Sequence, residues 1–391
     1  MVKQTSRAKP KPARRTVSAG SLPGDHPSPV PPTAIDSARA SSSLSTVPPA
    51  CLADYELLAK QRFSRPAWEY INSASADEHT MRWNLDSLTS IRLRPRIMVD
   101  VSTIDMSTTL LGHTLPHPIL VAPMSSHMIV HPEAELATVR GAGSASAITV
   151  LSTLSNFTVG EIVRAATQPV WFQLYASEDR AGTRDLILRA EAAGCEALCI
   201  TVDLPWLYAR NRETHITHEV PQLPYPNIDF TGGPASTGQR RWGYRKLQWS
   251  DIDWVRSFSK LPLLLKGVLN PDDADLAVKA GASGIIVSNH GGRGLDTVPA
   301  SIDALPAVAE KVAGRIPVLM DGGIRRGTDV LKAIANGATA ILLGRPILYG
   351  LGIGGADGVQ NVIEILRTEF EAAMALTGRT SIAAIDRSVL W

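Results

Sequence analysis

"GIIVSNHGGRGLD" (residues 284–296) begins as an unbroken apolar run and ends on a histidine, two glycines and an arginine. A strand with one wet face alternates apolar and polar residues; a strand covered on both faces does not. This run shows no alternation, so it reads as a strand of a parallel sheet buried between helices. Its end raises a chemical question. His290 titrates near neutral pH, and Arg293 is a fixed cation three residues later.

The same form recurs along the chain. "PILVAPM" (118–124), "AITVLST" (147–153), "PVWFQLY" (169–175), "ALCITVD" (197–203), "LPLLLKGV" (261–268), "IPVLMDGG" (316–323) and "AILLGRP" (340–346) are apolar runs of similar length. Helical patterns separate them. In "NPDDADLAVKAGA" the acids Asp272, Asp273 and Asp275 fill the first turn, where the helix dipole favours them. "SEDRAGTRDLILRAEAAG" is a second such stretch, and "RRGTDVLKAIANGA" runs into a glycine stop. Eight strands alternating with helices predict a closed α/β (β/α)₈ TIM barrel. A doubly wound sheet is the rival, but it rarely needs eight evenly spaced units. "LADYELLAKQRF" and "PAWEYINS" predict short helices ahead of the barrel. Between about 204 and 248 lies a long connection rich in turn formers, a pattern common in lids and binding loops.

Composition narrows the function. Residues 1–50 carry seven Lys/Arg against two acids, which leaves 32 against 35 for the remainder, residues 51–391. A body this close to neutral offers no electrostatic case for nucleic acid. The Pro/Ser-rich basic segment 1–50 lacks core-forming residues and reads as a disordered tail, leaving 51–391 as the folded barrel domain. Arg14-Arg15 has no apolar stretch after it, and the prolines break the amphipathic helix of a transit peptide, so a cytoplasmic location is expected, with organelle or export targeting by the tail as the alternative. No apolar run is long enough for a membrane-spanning helix. Cys51, Cys195 and Cys199 are too few for a disulfide framework. In "GCEALCI" packing is expected ahead of metal ligation, and no metal site is expected elsewhere.

Barrel enzymes build their sites at the C-terminal ends of the strands. In this chain those ends carry Ser125, Ser152, Gln173 with Tyr175, Thr201 with Asp203, Lys266, Asn289 with His290 and Arg293, Asp321 with Arg325, and Gly344 with Arg345. One terminal lysine or histidine is ordinarily a solvated rim residue, but eight polar ends together point to a site. "DGGIRRG" and "LGRP" put glycine amides and helix starts after the last two strands, the usual barrel phosphate site, with Arg345 as a fork for phosphate oxygens. Lys266 could form a Schiff base or supply charge. With Gln173, Ser152 and Thr201 directed into the same space, a flavin fits better, the lysine stabilising the anion left by reduction.

"RPRIMVDVSTIDMSTTLLG", "FQLY", "LKGV", "SNHGGRGLD", "DGGIRRGTD" and "LGRP", in this order, resemble the FMN-dependent L-2-hydroxy acid oxidases and dehydrogenases, a family that includes glycolate and lactate oxidases. The likeness runs from about Leu52 to Ser388. It implies FMN, a barrel fold, a homotetramer or octamer, and oxidation of a 2-hydroxy acid to the 2-oxo acid. It also implies roles. His290 would be the base, with Asp203 as its partner, and Arg293 would bind the substrate carboxylate. Tyr70 and Tyr175 would contact substrate. Lys266, Ala122, Pro123, Ser125, Ser152, Gln173, Thr201 and Ser288 would meet the flavin ring. Asp321, Gly323, Arg325, Gly344 and Arg345 would meet the ribityl chain and phosphate.

Three departures stand out. The family supplies a second carboxylate-binding arginine soon after strand four, and "PWLYARNRETH" offers two. Ungapped spacing from Asp203 selects Arg210, whereas the local "NRE" match selects Arg212 and is the reading we favour at this stage. Ser125 and Gly294 stand where the family usually has alanine and glutamine. Leu154 takes the place of a tryptophan in glycolate oxidase, which favours a small aliphatic acid, L-lactate first. Oxygen is the expected acceptor, with a quinone or other acceptor as the alternative. A different FMN barrel, such as an isomerase, or an inactive FMN-binding protein, would not need a histidine and two arginines around a carboxylate.

Overall fold

The computed structural model describes residues 48–206, 208–228 and 247–391. Residues 1–47, nearly all of the segment 1–50 for which disorder is expected, and the middle of the long connection lie outside the described residues. Residues Pro49–Trp391 form one compact unit.

Three helices lead in: α1 (Leu52–Arg62), α2 (Arg65–Asn72) and α3 (His79–Ser90). A short antiparallel hairpin follows, β1 (Thr108–Leu110) with β2 (His113–Leu115). Eight parallel strands then close a barrel: β3 (Ile119–Val121), β4 (Thr149–Ser152), β5 (Val170–Leu174), β6 (Ala197–Thr201), β7 (Leu263–Lys266), β8 (Gly284–Val287), β9 (Val318–Asp321) and β10 (Ala340–Leu343), with β10 pairing back onto β3. The helices between them are α4 (Ala134–Ser144), α5 (Val159–Ala165), α6 (Arg180–Ala192), α7 (Asn211–Ile216), α8 (Ser250–Arg256), α9 (Pro271–Lys279), α10 (Ser301–Val312) and α11 (Gly327–Ala335), and α12 (Arg345–Leu376) follows the last strand. The fold is the expected (β/α)₈ barrel. The barrel strands are buried along their whole length, as runs without alternation require.

Each strand sends alternate side chains inward and outward. Leu120, Ile148, Val150, Trp171, Cys199, Leu264, Ile286, Leu319 and Leu342 fill the barrel interior, and Leu110 and Leu115 of the hairpin join the same cluster. The other set packs against the surrounding helices. Cys199 thus packs inside the barrel, and Cys195 is buried against the outer layer. The helix signals hold in part: Asp272 and Asp273 lie in the first turn of α9, while Asp275 falls in the next turn and pairs with Lys279. Asn270 caps α9 by accepting from the Asp272 amide, and Gly337, at φ +102°, follows α11.

The strands stop sooner than the apolar runs suggest. The sixth barrel strand ends at Val287, and His290 opens a single turn of 3₁₀ helix, His290–Gly292. Asp203 likewise lies past the end of β6. At the carboxyl ends of a closed barrel the backbone leaves the sheet to reach the next helix, so polar residues there sit on loops anchored by strands. The inter-strand register keeps their bases level: Ser152 is paired with Gln173, and Thr201 with Lys266.

Candidate active site

His290 sits at φ +59°, a left-handed conformation that a residue with a Cβ seldom adopts. Three contacts hold it. Its amide donates to Ser288 Oγ (3.0 Å), its Nδ1 lies 3.1 Å from Asp203 Oδ1, and its Nε2 lies 3.4 Å from the Tyr175 hydroxyl. Burial lowers the imidazole pKa, and the nearby Asp203 charge opposes this without overcoming it. Burial alone would raise Asp203, but the imidazole and the Lys266 ammonium bring it below the usual carboxylate value. Asp203 is therefore ionised and accepts the Nδ1 proton. Nε2 is left as a neutral acceptor facing the Tyr175 side of the cleft. The Tyr175 phenol, pushed up to about 12 by burial and by Asp203, stays protonated.

Lys266 is buried at the end of β7. Its Nζ donates to Ser288 Oγ (2.9 Å) and lies 3.0 Å from Asp321 Oδ2. Burial works against its charge, but Asp321 and Asp203 outweigh it and raise the pKa, so Lys266 is an ammonium at neutral pH. Level with it, Gln173 Nε2 donates to Thr201 Oγ1 (3.0 Å), and Gln173 Oε1 accepts from Ser152 Oγ (3.3 Å) and the Thr153 amide (3.2 Å). Gly267 allows Asp203 to lie against this layer: a Cβ there would stand 2.4 Å from the Asp203 Cβ.

On the other side of His290, Arg293 donates to the Tyr70 and Ser73 carbonyls (2.8 and 3.0 Å) and to Glu213 Oε1 (2.5 Å). Its guanidinium carbon lies 5.4 Å from the Tyr70 ring centre. Arg210 donates to the Arg293 carbonyl (3.1 Å) and pairs with Glu213 (3.4 Å). Burial and the adjacent Arg293 lower its pKa, Glu213 only partly compensating. Two guanidinium groups and one carboxylate leave a net positive charge beside the imidazole. Arg212 is elsewhere. It binds Glu69 (2.5 Å), the Asn72 carbonyl (2.9 Å) and Glu78 (3.3 Å), so the arginine favoured by the local sequence match is held in a peripheral ion-pair network.

The ends of β9 and β10 carry the remaining polar groups. Arg345 is held by three main-chain carbonyls, Ile71 (3.0 Å), Ser73 (3.2 Å) and Gly291 (3.0 Å). Burial and the neighbouring Arg293 push it down to about 10. Asp321 Oδ1 is buried with no hydrogen-bond partner. Gly323, at φ +85°, packs so closely that a Cβ would meet the Asn84 carbonyl at 2.2 Å. Arg325 stands 3.7 Å from Glu56, and Gly344 precedes α12, so its neighbouring amides open that helix. A hydroxylated chain ending in a phosphate suits these groups: a hydroxyl for the orphaned Asp321 oxygen, and an anion for a guanidinium bonded only to neutral carbonyls. The donor set fits FMN on these observations.

Residues 59–391 match the model of the FMN-dependent dehydrogenase family. The chain belongs to that family. Among relatives, it is 45% identical over 357 residues to an L-lactate oxidase of Nostoc sp., covering 88% of this chain and 98% of that one. It is 44% identical over 348 residues to a peroxisomal (S)-2-hydroxy-acid oxidase of Oryza sativa subsp. japonica, covering 87% and 95%. A solved mandelate oxidase with benzoyl-formic acid superposes with a TM-score of 0.81 at 36% identity, covering 88% and 98%. The expected resemblance is borne out, and FMN is this flavoprotein family's cofactor. Among the described residues, no helix is long and apolar enough to cross a membrane.

The expected site residues converge: His290, Asp203 and Tyr175, with Tyr70 from α2, Arg293 and Arg210, on one side, and Lys266, Ser288, Asp321, Gln173, Ser152 and Thr201 on the other. Ala122 is tied to β10 through the Leu343 carbonyl (3.0 Å), with Pro123 next to it; the Leu154 carbonyl accepts the Ser126 amide (3.4 Å). Several supporting contacts carry no signal in the sequence, although Asn289 stands among the polar strand ends. Glu213 couples both arginines, and only its place in "NRE" hinted at it. Asn84 and Asn289 exchange side-chain bonds (2.9 and 2.8 Å) across 205 residues of sequence, fixing the turn that carries His290. Asp296 accepts the amides of Asp77, His79 and Thr80 and docks the start of α3.

Proposed function

We propose that this flavoenzyme oxidises a small L-2-hydroxy acid, L-lactate first, to its 2-oxo acid, and that oxygen then re-oxidises the flavin with release of H₂O₂. One observation carries the reading: an imidazole held at Nδ1 by the Asp203 carboxylate stands beside two half-buried arginines that share a single carboxylate. Bound FMN supplies the two-electron acceptor. Gln173, Ser152, Thr201 and Ser288 would hold its ring edge, Lys266 would stabilise negative charge on the ring, and Asp321, Gly323, Arg325, Gly344 and Arg345 would hold its tail.

Arg210 and Arg293 bind the substrate carboxylate; Arg212 serves the periphery. Tyr70 and Tyr175 donate hydrogen bonds to the substrate. His290 Nε2 takes the proton released as C2 is oxidised, and Asp203 stabilises the resulting imidazolium. Leu154 offers a flat apolar contact to the substrate side chain. One methyl in such a contact contributes about 1 kcal/mol or slightly more, which favours lactate over glycolate by roughly five- to tenfold. The L-lactate oxidase among the relatives supports this order, while the (S)-2-hydroxy-acid and mandelate oxidases keep neighbouring acids in the panel.

The test is anaerobic flavin reduction by L-lactate, glycolate, L-mandelate and a long-chain 2-hydroxy acid, with H₂O₂ measured in air. Lactate is expected to be fastest, with stoichiometric H₂O₂. Glycolate or the long chain outrunning lactate overturns the role of Leu154. Rapid reduction without re-oxidation by oxygen overturns the choice of acceptor.

A further inference from the structure

A chain of hydroxyls links the segment after α7 to the substrate side of the site. Tyr225 Oη lies 2.8 Å from Ser126 Oγ, Ser126 Oγ lies 3.1 Å from Tyr70 Oη, and Tyr70 Oη lies 2.7 Å from Ser125 Oγ. The Tyr225 end is rigidly held. Asn156 Nδ2 donates to the Pro224 carbonyl (3.0 Å). The buried Asn227 donates to Ser155 Oγ (2.7 Å) and the Phe157 carbonyl (3.0 Å) and accepts the Val159 amide (3.0 Å). Residues 224–227 are thereby pinned to the loop that follows β4, and Tyr225 is fixed by neighbours on both sides.

Hydrogen-bond bookkeeping gives this chain a direction. A tyrosine hydroxyl has one proton to donate. If Tyr70 gives it to the substrate carboxylate, it can only accept from the two serines. Ser126 then has its one proton on Tyr70, so in its 2.8 Å contact with Tyr225 the tyrosine is the donor. The protons then point Tyr225 to Ser126 to Tyr70 to carboxylate, and each bond polarises the next. We propose that Tyr225, acting through Ser126, is a positioning residue that orients the Tyr70 hydroxyl and strengthens it as a donor to the substrate carboxylate. The proposal rests on the reading of Tyr70 as a carboxylate donor and adds a residue some 155 positions away in sequence that touches no reacting atom.

An interaction of this kind with the carboxylate is equally strong before and during the chemical step. Its loss should raise KM and leave the maximal rate alone. Tyr225→Phe in the holoenzyme is expected to raise KM for the best acid of the panel about three- to tenfold, the range for one buried hydroxyl bond. The dissociation constant of oxalate, read from the flavin absorbance, should rise in parallel, with kcat within twofold of the parent. Ser126→Ala should do the same. The double variant should be no worse than the worse single one, because both break one chain. In a Tyr70→Phe background, Tyr225→Phe should have no further effect. Additive effects of the two substitutions, an effect that survives in the Tyr70→Phe background, or a loss confined to kcat overturns the chain. Tyr70→Phe raising KM while Tyr225→Phe does not also overturns the chain and leaves the role of Tyr70 standing. Tyr70→Phe without any rise in KM overturns the underlying reading of Tyr70.

Discussion

Asp203→Asn separates the two effects that the aspartate has on His290. The carboxylate lies 3.1 Å from Nδ1 and is also drawn to the Lys266 ammonium. Two unit charges about 4 Å apart interact by roughly 4 kcal/mol at an effective dielectric near 20. Asparagine keeps a hydrogen-bond acceptor, and Lys266 shares the field, so about half of this, ~2 kcal/mol, is the expected loss of imidazolium stabilisation in the transition state. That is roughly a thirtyfold fall in the rate of flavin reduction. The pH dependence moves as well. The base must be neutral, so the rate rises with pH through the His290 pKa, which burial already places below the usual histidine value. The Asp203 charge raises that pKa. Removing it lowers the pKa further, and the acid limb of the profile shifts to lower pH while the plateau falls. Stopped-flow reduction across pH 4–8, with KM measured alongside, reads both quantities. An unchanged plateau, an acid limb displaced to higher pH, or a loss confined to KM would show that Asp203 does not stabilise the His290 imidazolium.

Two further outcomes follow from the arginines. Arg210→Lys should raise KM at least tenfold, because a half-buried guanidinium beside Arg293 is replaced by a point charge without its fork, whereas Arg212→Lys should change KM less than twofold; steady-state kinetics on both variants would reverse the assignment if Arg212 proved the sensitive one. Arg345→Met should weaken FMN retention by roughly 10- to 100-fold, the range for a charge-assisted contact to phosphate, as read by equilibrium dialysis; unaltered retention would place the phosphate elsewhere.

The barrel was legible because strands buried on both faces must be apolar throughout, and eight such runs stand in the sequence at helix-length intervals. The chemistry at their ends was legible for the same reason: a polar residue closing an apolar run has to face a site, a partner or water. Backbone conformation was less so. The apolar run places His290 at a strand end, whereas it stands three residues beyond one, in a left-handed turn that depends on Ser288, Gly291 and the distant Asn84–Asn289 pair, and long-range contacts leave no local pattern. Arg210 and Arg212 show the limit more sharply. Residues two apart at a helix start face different ways. A match of three letters could not decide which one turned toward His290, whereas the neighbours Glu69 and Glu78 on one side and Glu213 and Arg293 on the other could. Tyr225 and Asn227 carried no signal at all in "QLPYPNID"; their role comes from the loop on which they land.

Oxidation of the substrate turns on His290 acting as the base. Single-turnover, anaerobic flavin reduction by the preferred acid in His290→Gln, with FMN content quantified on the same sample, isolates that step. Full FMN occupancy and a reduction rate lower by roughly 10²–10⁴, the usual contribution of a positioned general base, are expected. A variant that retains its FMN and is reduced at close to the parent rate would contradict that role of His290.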